Sequence, residues 1–166
     1  MKNNESRDAT LTLLKEEEQI CRELKDWHAL KSNLGKQVYL LEKQKAYVEA
    51  LAILDELETG SLENHDLAAL VSVLRLQGKM LRELQELPKA LDRYEKLARF
   101  GREMGNHELQ AEALFDQALT LSLGDETHEA AQKLADEAHS LAMQHGYSEM
   151  CEQMAPLRSF LRFLKK

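Results

Sequence analysis

The sequence predicts an all-α protein built from repeated helix pairs, and three observations lead to that prediction. The 166 residues are rich in Leu, Ala, Glu, Lys, Gln and Arg, which are all good helix formers. Only 7 Gly and 2 Pro interrupt them, aromatic residues make up 5% of the chain, and runs of β-branched residues are absent. Apolar residues recur with helical spacing, and the same columns return at a constant interval along the chain.

The repeat is anchored on Ala50, Ala90 and Ala130, which are evenly spaced in the sequence. Leucines precede each anchor at the same two offsets, and a larger side chain follows four positions later. These positions are Leu34, Leu41 and Leu54 in the first copy, Leu74, Leu81 and Tyr94 in the second, and Leu114, Leu121 and Leu134 in the third. A weaker copy begins at Ala9. An ordinary amphipathic bundle is the alternative, but columns that match at a constant offset favour a true repeat.

Each unit is predicted to be a helix, a short turn and a second helix. Leu74, Gly78 and Leu81 share one helical face, and Pro88 can open the next helix but cannot sit inside one. The small residues Gly78 and Ala90 would let the two helices approach closely. Gly101 lies inside the second helix, where glycine costs up to about 1 kcal/mol relative to alanine. We therefore expect Gly101 to mark a close contact with the neighbouring repeat.

These columns resemble the tetratricopeptide repeat. "LRLQGKML" followed by "ELPKALDRYEKLA" is similar to the family's L-x-x-x-G-x-x-L and A-x-x-x-Y columns, and the resemblance covers about Ala9 to Tyr147. The period is about 40 rather than 34, and the family's proline after the second helix is missing, which resembles the longer-helix variant of the family. The resemblance implies an α-solenoid of about three and a half repeats with a C-terminal capping helix.

The predicted boundaries describe one helical-repeat domain over residues 1–166. It comprises a half repeat at about 6–25, repeats at about 28–60, 66–105 and 107–146, and a cap at about 147–166. Gly60, Gly105 and Gly146 are expected to end second helices in the left-handed conformation. After Gly60 the sequence predicts a longer loop, "ETGSLENHD", with Asp66 or Asn64 as the N-cap of the next helix.

The N-terminal half repeat lacks its first helix, so the face with Leu11, Leu14 and Cys21 can lack its usual cover. Either the face is polar enough to cap the array, or it pairs with another chain, or the chain is part of a longer array. The segment "KEEEQ" supplies some of the polarity that a cap needs.

The C-terminal segment "EMCEQMAPLRSFLRFLKK" is expected to form a helix that Pro156 interrupts or kinks. Its apolar face is flanked by cations, and its residues are Leu157, Phe160, Leu161 and Leu164 with Arg158, Arg162, Lys165 and Lys166. A basic amphipathic helix can bind a membrane surface or a partner groove. The favoured interpretation is a lid on the last repeat, with cations near its C-terminus.

Composition excludes several classes of function. The net charge is -7, from 22 basic and 29 acidic residues that are interleaved along the chain, which argues against nucleic-acid binding. Cys21 and Cys151 are far apart, and two free thiols suit a reducing compartment. No signal peptide or membrane-spanning run is visible, so the sequence predicts a soluble, cytoplasmic protein.

No arrangement of side chains predicts catalysis, a cofactor or a metal. A glycine-rich phosphate loop and a nucleophilic triad are both absent from the sequence. His139, His145 and Cys151 form the one conceivable metal cluster, and their spacing fits no zinc site. Glu112 and Asp116 are carboxylates at i and i+4, which is common on helix surfaces. We expect a protein that is not an enzyme.

The tetratricopeptide resemblance implies that the first helices line a concave binding surface. The partner-binding candidates in this register are Lys36, Tyr39 and Lys43, then Arg75, Lys79 and Arg82 with Glu83, then Phe115 and Leu119 with Glu112 and Asp116. Such a surface, basic in its middle, would suit a peptide with acidic residues and an apolar anchor. The alternative for the basic cluster is a solvated face. The family's clamp for a C-terminal carboxylate uses asparagine columns, which here hold Lys36, Leu76 and Asp116, so that activity is not expected.

The predicted function is therefore a non-catalytic protein–protein interaction module, such as an adaptor or scaffold, that binds a peptide or partner helix in its groove. The alternative is a self-assembling structural or regulatory segment of a larger signalling system. In that case Leu11 and Leu14 would form the dimer or docking face.

Overall fold

The computed structural model describes residues 2–124 and 127–164, with their side chains from residue 9 onward. These residues form eight α-helices and no strand. The helices are α1 (Lys2–Leu24), α2 (Trp27–Lys43), α3 (Tyr47–Glu63), α4 (Leu67–Glu83), α5 (Leu87–Glu103), α6 (His107–Leu121), α7 (His128–Gln144) and α8 (Ser148–Leu164). The all-α prediction is confirmed. Lys165 and Lys166, which belong to the predicted basic tail, lie outside the described residues.

Six of the turns share one backbone geometry. After α1, the Lys25 N–H donates to the Arg22 carbonyl and the Asp26 N–H donates to the Cys21 carbonyl. This is the pair of hydrogen bonds that ends a helix when the residue after its cap is left-handed. The same two spacings recur after α2, α3, α4, α5 and α7. The left-handed residues are Lys25, Lys45, His65, Gln85, Gly105 and Gly146, and the first five are evenly spaced at half the period of the repeat.

Gly105 and Gly146 therefore end helices as predicted, with φ of 65° and 76°. Gly60 does not. It lies inside α3, which continues to Glu63, so the predicted stop at Gly60 and the long loop after it are wrong. The physical reason is packing: a Cβ on Gly60 would collide with the Trp27 ring, so this glycine permits close helix approach instead of a turn.

The helix starts alternate between two kinds. Asp26, Asp66 and Asn106, one repeat period apart, each accept a hydrogen bond at 3.0 Å from the N–H three positions later. These are side-chain N-caps, and they confirm Asp66 as the cap of α4. The helices that follow α2 and α4, which are α3 and α5, have no side-chain cap. The capped helices are the first helices of the predicted repeats, so capping follows the full period while the turns repeat at half of it.

The third repeat is shifted by one position from the predicted register. Ala131 is fully buried whereas Ala130 is exposed, so Ala131 and not Ala130 is the packing equivalent of Ala90. The shift arises in the connection between α6 and α7, where α6 ends at Leu121 and α7 begins at His128. This connection lacks the geometry of the other turns among its described residues.

The chain divides into two compact units, Met1–Val73 and Leu74–Lys166, with the boundary inside α4. In the first unit, α2 packs against both α1 and α3, and its buried core includes Leu34, Val38, Ala50 and Leu54. In the second unit, α5 packs against α6, α6 against α7, and α7 against α8, while α6 also contacts α8. Helix α8 continues through Pro156, and its Leu161 is buried against Ala118, Ala131 and Ala135.

Candidate partner-binding surface

A cleft that is lined by both apolar and polar side chains lies in the second unit between the C-terminal part of α4, α6 and α8. Phe115 and Leu119 are one turn apart on α6, and Met150 and Met154 are one turn apart on α8. Met154 is buried and forms the floor, whereas the other three remain partly exposed. The cleft has a volume of about 240 Å³ and is completed by Arg75, Glu112, Asp116 and Gln153. We name this the α6/α8 cleft.

Two arginines of α4, Arg75 in the lining of the α6/α8 cleft and Arg82 further along the same helix, are paired with carboxylates of α6 that line the cleft. Arg75 Nη2 lies 2.5 Å from Glu112 Oε2, and Arg82 Nη1 lies 3.2 Å from Asp116 Oδ1. The Arg82 guanidinium also lies over the Tyr94 ring, 5.6 Å from its centroid. These ion pairs link α4 to α6. Two of the arginines in the predicted basic middle of the binding surface therefore have their charge compensated by carboxylates of α6.

Burial changes the ionisation of two groups beside these pairs. It raises the pKa of the Asp116 carboxyl, and the neighbouring Arg82 counteracts only part of that rise. Burial also raises the pKa of the Tyr94 phenol, with the Asp116 carboxylate adding to the effect. Tyr94 is 1% exposed and is not presented to a partner, whereas Asp116 is half-buried and lines the α6/α8 cleft.

A second, acidic cleft adjoins the first. It has a volume of about 380 Å³ and is lined by Glu108 and Glu112 of α6, by Glu149, Met150 and Gln153 of α8, and by Tyr147 and Ser148. Glu112, Met150 and Gln153 line both clefts, so the two clefts are neighbours with a shared wall. Glu108 and Glu149 each occupy the second position of their helix. Neither has an ion-pair partner among the described residues.

The remaining candidates on α4 are distributed differently. Arg82 and Leu119 border a third cleft of about 330 Å³, together with Glu83, Gln85, Ser122 and Leu123. Lys79 is exposed on α4 and lines none of the three clefts. Of the predicted partner-binding residues, the structure thus brings Arg75, Phe115 and Leu119 together in one cleft.

Lys36, Tyr39 and Lys43 lie on α2 in the first unit and are all exposed. The Lys43 Nζ stands 5.2 Å from the centroid of the Tyr39 ring, a cation–π contact between residues one turn apart.

The apolar face that α1 leaves open differs from the predicted one. Leu14 is 7% exposed, and the Leu14 carbonyl accepts a hydrogen bond from Asn33 Nδ2 at 2.9 Å. Leu14 therefore packs inside the first unit and cannot be a docking residue, and Leu11 and Cys21 are partly covered. The large apolar side chains exposed on α1 are Leu13 (60%), Ile20 (57%) and Leu24 (72%).

In the described part of the chain, no three potential metal ligands come together. His145 stacks on His107, with ring centroids 3.9 Å apart. Burial, with Arg158 nearby, lowers the pKa of His139. Within the described residues, no helix combines the length and apolar character needed to cross a membrane.

Sequence reasoning missed the contribution of α8 to the clefts. Treating residues 147–166 as a lid drew attention to Phe160 and Leu164, which are exposed, and away from Met150, Gln153 and Met154. The signal was available in the turn period. Helix α8 begins after α7 by the same step along the chain that separates the successive starts of α2 to α6, so it holds the place of another first helix, beside α6.

Comparisons with known proteins add little to this geometry. No protein-family model matches the sequence, and no curated protein matches it significantly. The chain is similar to a solved structure named "DHF46 filament", with 14% sequence identity over 98% of this chain and 99% of that chain and a TM-score of 0.40. A likeness at this level indicates no common function. The resemblance to the tetratricopeptide repeat therefore stays a prediction from the sequence.

Proposed function

We propose that this chain is a non-catalytic protein–protein interaction module that binds a segment of a partner protein in the α6/α8 cleft. The observation that carries the proposal is the partly exposed apolar surface of Phe115, Leu119 and Met150 beside the buried Met154. In a groove that binds a peptide or partner helix, apolar side chains anchor the ligand and polar groups fix its orientation.

The proposal is tested by selecting short random-sequence peptides on the immobilised chain and measuring their affinity in solution. The variant Leu119→Gln/Met150→Gln keeps side-chain size but removes the apolar surface. Since burying one such side chain contributes about 1.5–3 kcal/mol, we expect binding to weaken by more than about tenfold. The control Leu67→Gln/Met143→Gln changes residues that are 52% and 63% exposed and lie outside the cleft, so it should bind normally. Equal binding by both variants, or no selectable peptide, would reject the proposal.

A second candidate is self-association through α1, and its support is the exposed face of Leu13, Ile20 and Leu24. These residues recur at i, i+7 and i+11, so they share one side of the helix. Light scattering at micromolar concentration should then show a dimer that Leu13→Gln/Ile20→Gln/Leu24→Gln converts to a monomer. A wild-type chain that is monomeric throughout would dismiss this candidate.

A further inference from the structure

We infer that the partner segment carries a lysine or arginine beside an apolar anchor, and not the acidic residues that the sequence suggests. The inference rests on the proposed function, because it names the chemistry of the segment that the α6/α8 cleft would take. It is carried by the unbalanced charge of the adjoining acidic cleft and by the residues that the two clefts share.

The first step is the charge that remains after internal pairing. Arg75 and Arg82 are matched by Glu112 and Asp116, so neither arginine offers an uncompensated charge to an acidic partner. Glu108 and Glu149 have no such match among the described residues, and no cationic side chain lines their cleft. The combined surface therefore presents net negative charge at one end, which favours a positively charged ligand.

The second step is the spacing between the two kinds of contact. Glu108 lies seven positions before Phe115 on α6, which corresponds to about 10 Å along a helix that rises about 1.5 Å per residue. An extended segment advances about 3.3 Å per residue. An anchor over Phe115 would thus place the residue about three positions away beside Glu108. In a helical segment lying parallel to α6, the corresponding separation is about seven positions.

The third step is the chemistry of the acidic cleft itself. Two carboxylates can accept charge-assisted hydrogen bonds from one ammonium or guanidinium group. Tyr147 lines the same cleft, and an aromatic ring provides a favourable surface for a cation. An acidic side chain would meet uncompensated negative charge at this place. The cleft therefore discriminates between a lysine or arginine and a glutamate at the same peptide position.

Glu108 and Glu149 also stand in the first turns of α6 and α8, where carboxylates stabilise a helix. The experiment has to separate that structural role from partner binding. The control is Glu49→Gln/Glu95→Gln, because Glu49 is likewise an exposed first-turn glutamate, of α3, and Glu95 is exposed on α5. Urea unfolding of each variant reports the structural effect independently of binding.

The test uses the full chain and synthetic versions of each selected peptide in which its lysines and arginines are replaced by glutamine or by glutamate. Fluorescence anisotropy should show the cationic version binding about tenfold more tightly than the glutamate version at low ionic strength, with a smaller ratio at high ionic strength. The variant Glu108→Gln/Glu149→Gln should abolish the preference, while the control should retain it. Arg75→Gln frees the Glu112 carboxylate and should strengthen binding of the cationic peptide.

Selection of acidic peptides, or a cationic preference that survives Glu108→Gln/Glu149→Gln, would overturn the inference while leaving the groove itself intact. Failure of the proposed function gives a different result, because Leu119→Gln/Met150→Gln would then leave every affinity unchanged. Weaker binding to Arg75→Gln would also overturn the inference, since it would show that the arginine contacts an acidic partner.

Discussion

Each unit contains a glycine–aromatic contact between paired helices, but the helix that carries the glycine differs between the two units. In the first unit the glycine is Gly60 on the second helix of the pair, α3, and the ring is Trp27 on α2. In the second unit the glycine is Gly78 on α4, and the ring is Tyr94 on α5, where a Cβ on Gly78 would lie 2.7 Å from Tyr94 Cζ. Close approach of two paired helices can therefore occur at a glycine on either helix of the pair.

The two rings differ in how firmly they are held. Tyr94 is 1% exposed and has the Arg82 guanidinium over its face. Trp27 is partly exposed and is fixed at its edge by a long hydrogen bond, 3.4 Å, from Nε1 to Asp66 Oδ2. Because a buried ring has no free space to move into, we expect the contact in the second unit to be the less tolerant of change.

We expect the largest loss of stability when either aromatic ring is removed by substitution with alanine. Tyr94→Ala should lower the free energy of unfolding by about 3–5 kcal/mol, as is typical when a buried aromatic side chain is removed. Trp27→Ala should cost about 2 kcal/mol, because part of that ring is already in water. Urea titration followed by circular dichroism measures both. Equal costs would show that exposure does not distinguish the two contacts.

A smaller effect is expected when the glycines are filled. Gly78→Ala should cost about 2 kcal/mol, because the added methyl group overpacks a site that cannot relax. Gly60→Ala should cost less, since the partly exposed Trp27 ring can move away. In a Tyr94→Ala background the sign for Gly78→Ala should reverse, because the clash is gone and alanine favours the helix.

The control for these substitutions is Gly35→Ala on α2. Gly35 is exposed and has nothing within 4 Å of an added Cβ, so only helix propensity changes, and we expect up to about 1 kcal/mol of stabilisation. If Gly35→Ala and Gly78→Ala shifted the urea midpoint in the same direction, close packing would not explain the glycine in α4.

The smallest expected effects are pH-dependent and have opposite signs in the two units. Hydrogen bonds from Lys31 and from the Ala69 N–H lower the pKa of Asp66 to about 2, so its stabilising contribution is present above pH 3.8 and is lost as pH falls towards 2. Burial raises the pKa of Asp116 above 3.8. The native state therefore binds a proton at Asp116 more tightly than the unfolded state does. The free energy of unfolding falls as pH rises from 3.8 through the raised pKa of Asp116.

Unfolding of Asp66→Asn and Asp116→Asn beside the wild type at a series of acidic pH values measures both contributions. The free energy of unfolding of the wild type minus that of Asp66→Asn should decrease as pH is lowered. The same difference for Asp116→Asn should increase as pH is lowered. The same trend in both variants would contradict the assigned environments.

The fold was largely predictable because its signals are local. Helix-forming composition, the capping residue Asp66 and the left-handed Gly105 and Gly146 each act within a few positions along the chain. The predicted helix end at Gly60 was wrong because a glycine in a helical segment marks either a helix end or a close helix contact. Only the Trp27 ring, which is distant in the sequence, distinguishes the two cases. The four non-glycine left-handed residues were missed because side chains other than glycine rarely take that conformation, although histidine takes it more often than lysine or glutamine.

The sequence by itself determined the helical class, the helix pairs and the period of the repeat. Those features follow from periodicity and capping, which are properties of neighbouring residues. Phe115 and Leu119 became candidates through the resemblance to the tetratricopeptide repeat, which implies that first helices line the binding surface. The tertiary structure alone decided that Arg75 and Arg82 are paired with α6 and that α8 contributes Met150 and Met154. It also decided that Leu14 is buried while Leu13 is exposed. Charge compensation and burial depend on which helices pack against each other, and the residues that are adjacent in the sequence do not determine this.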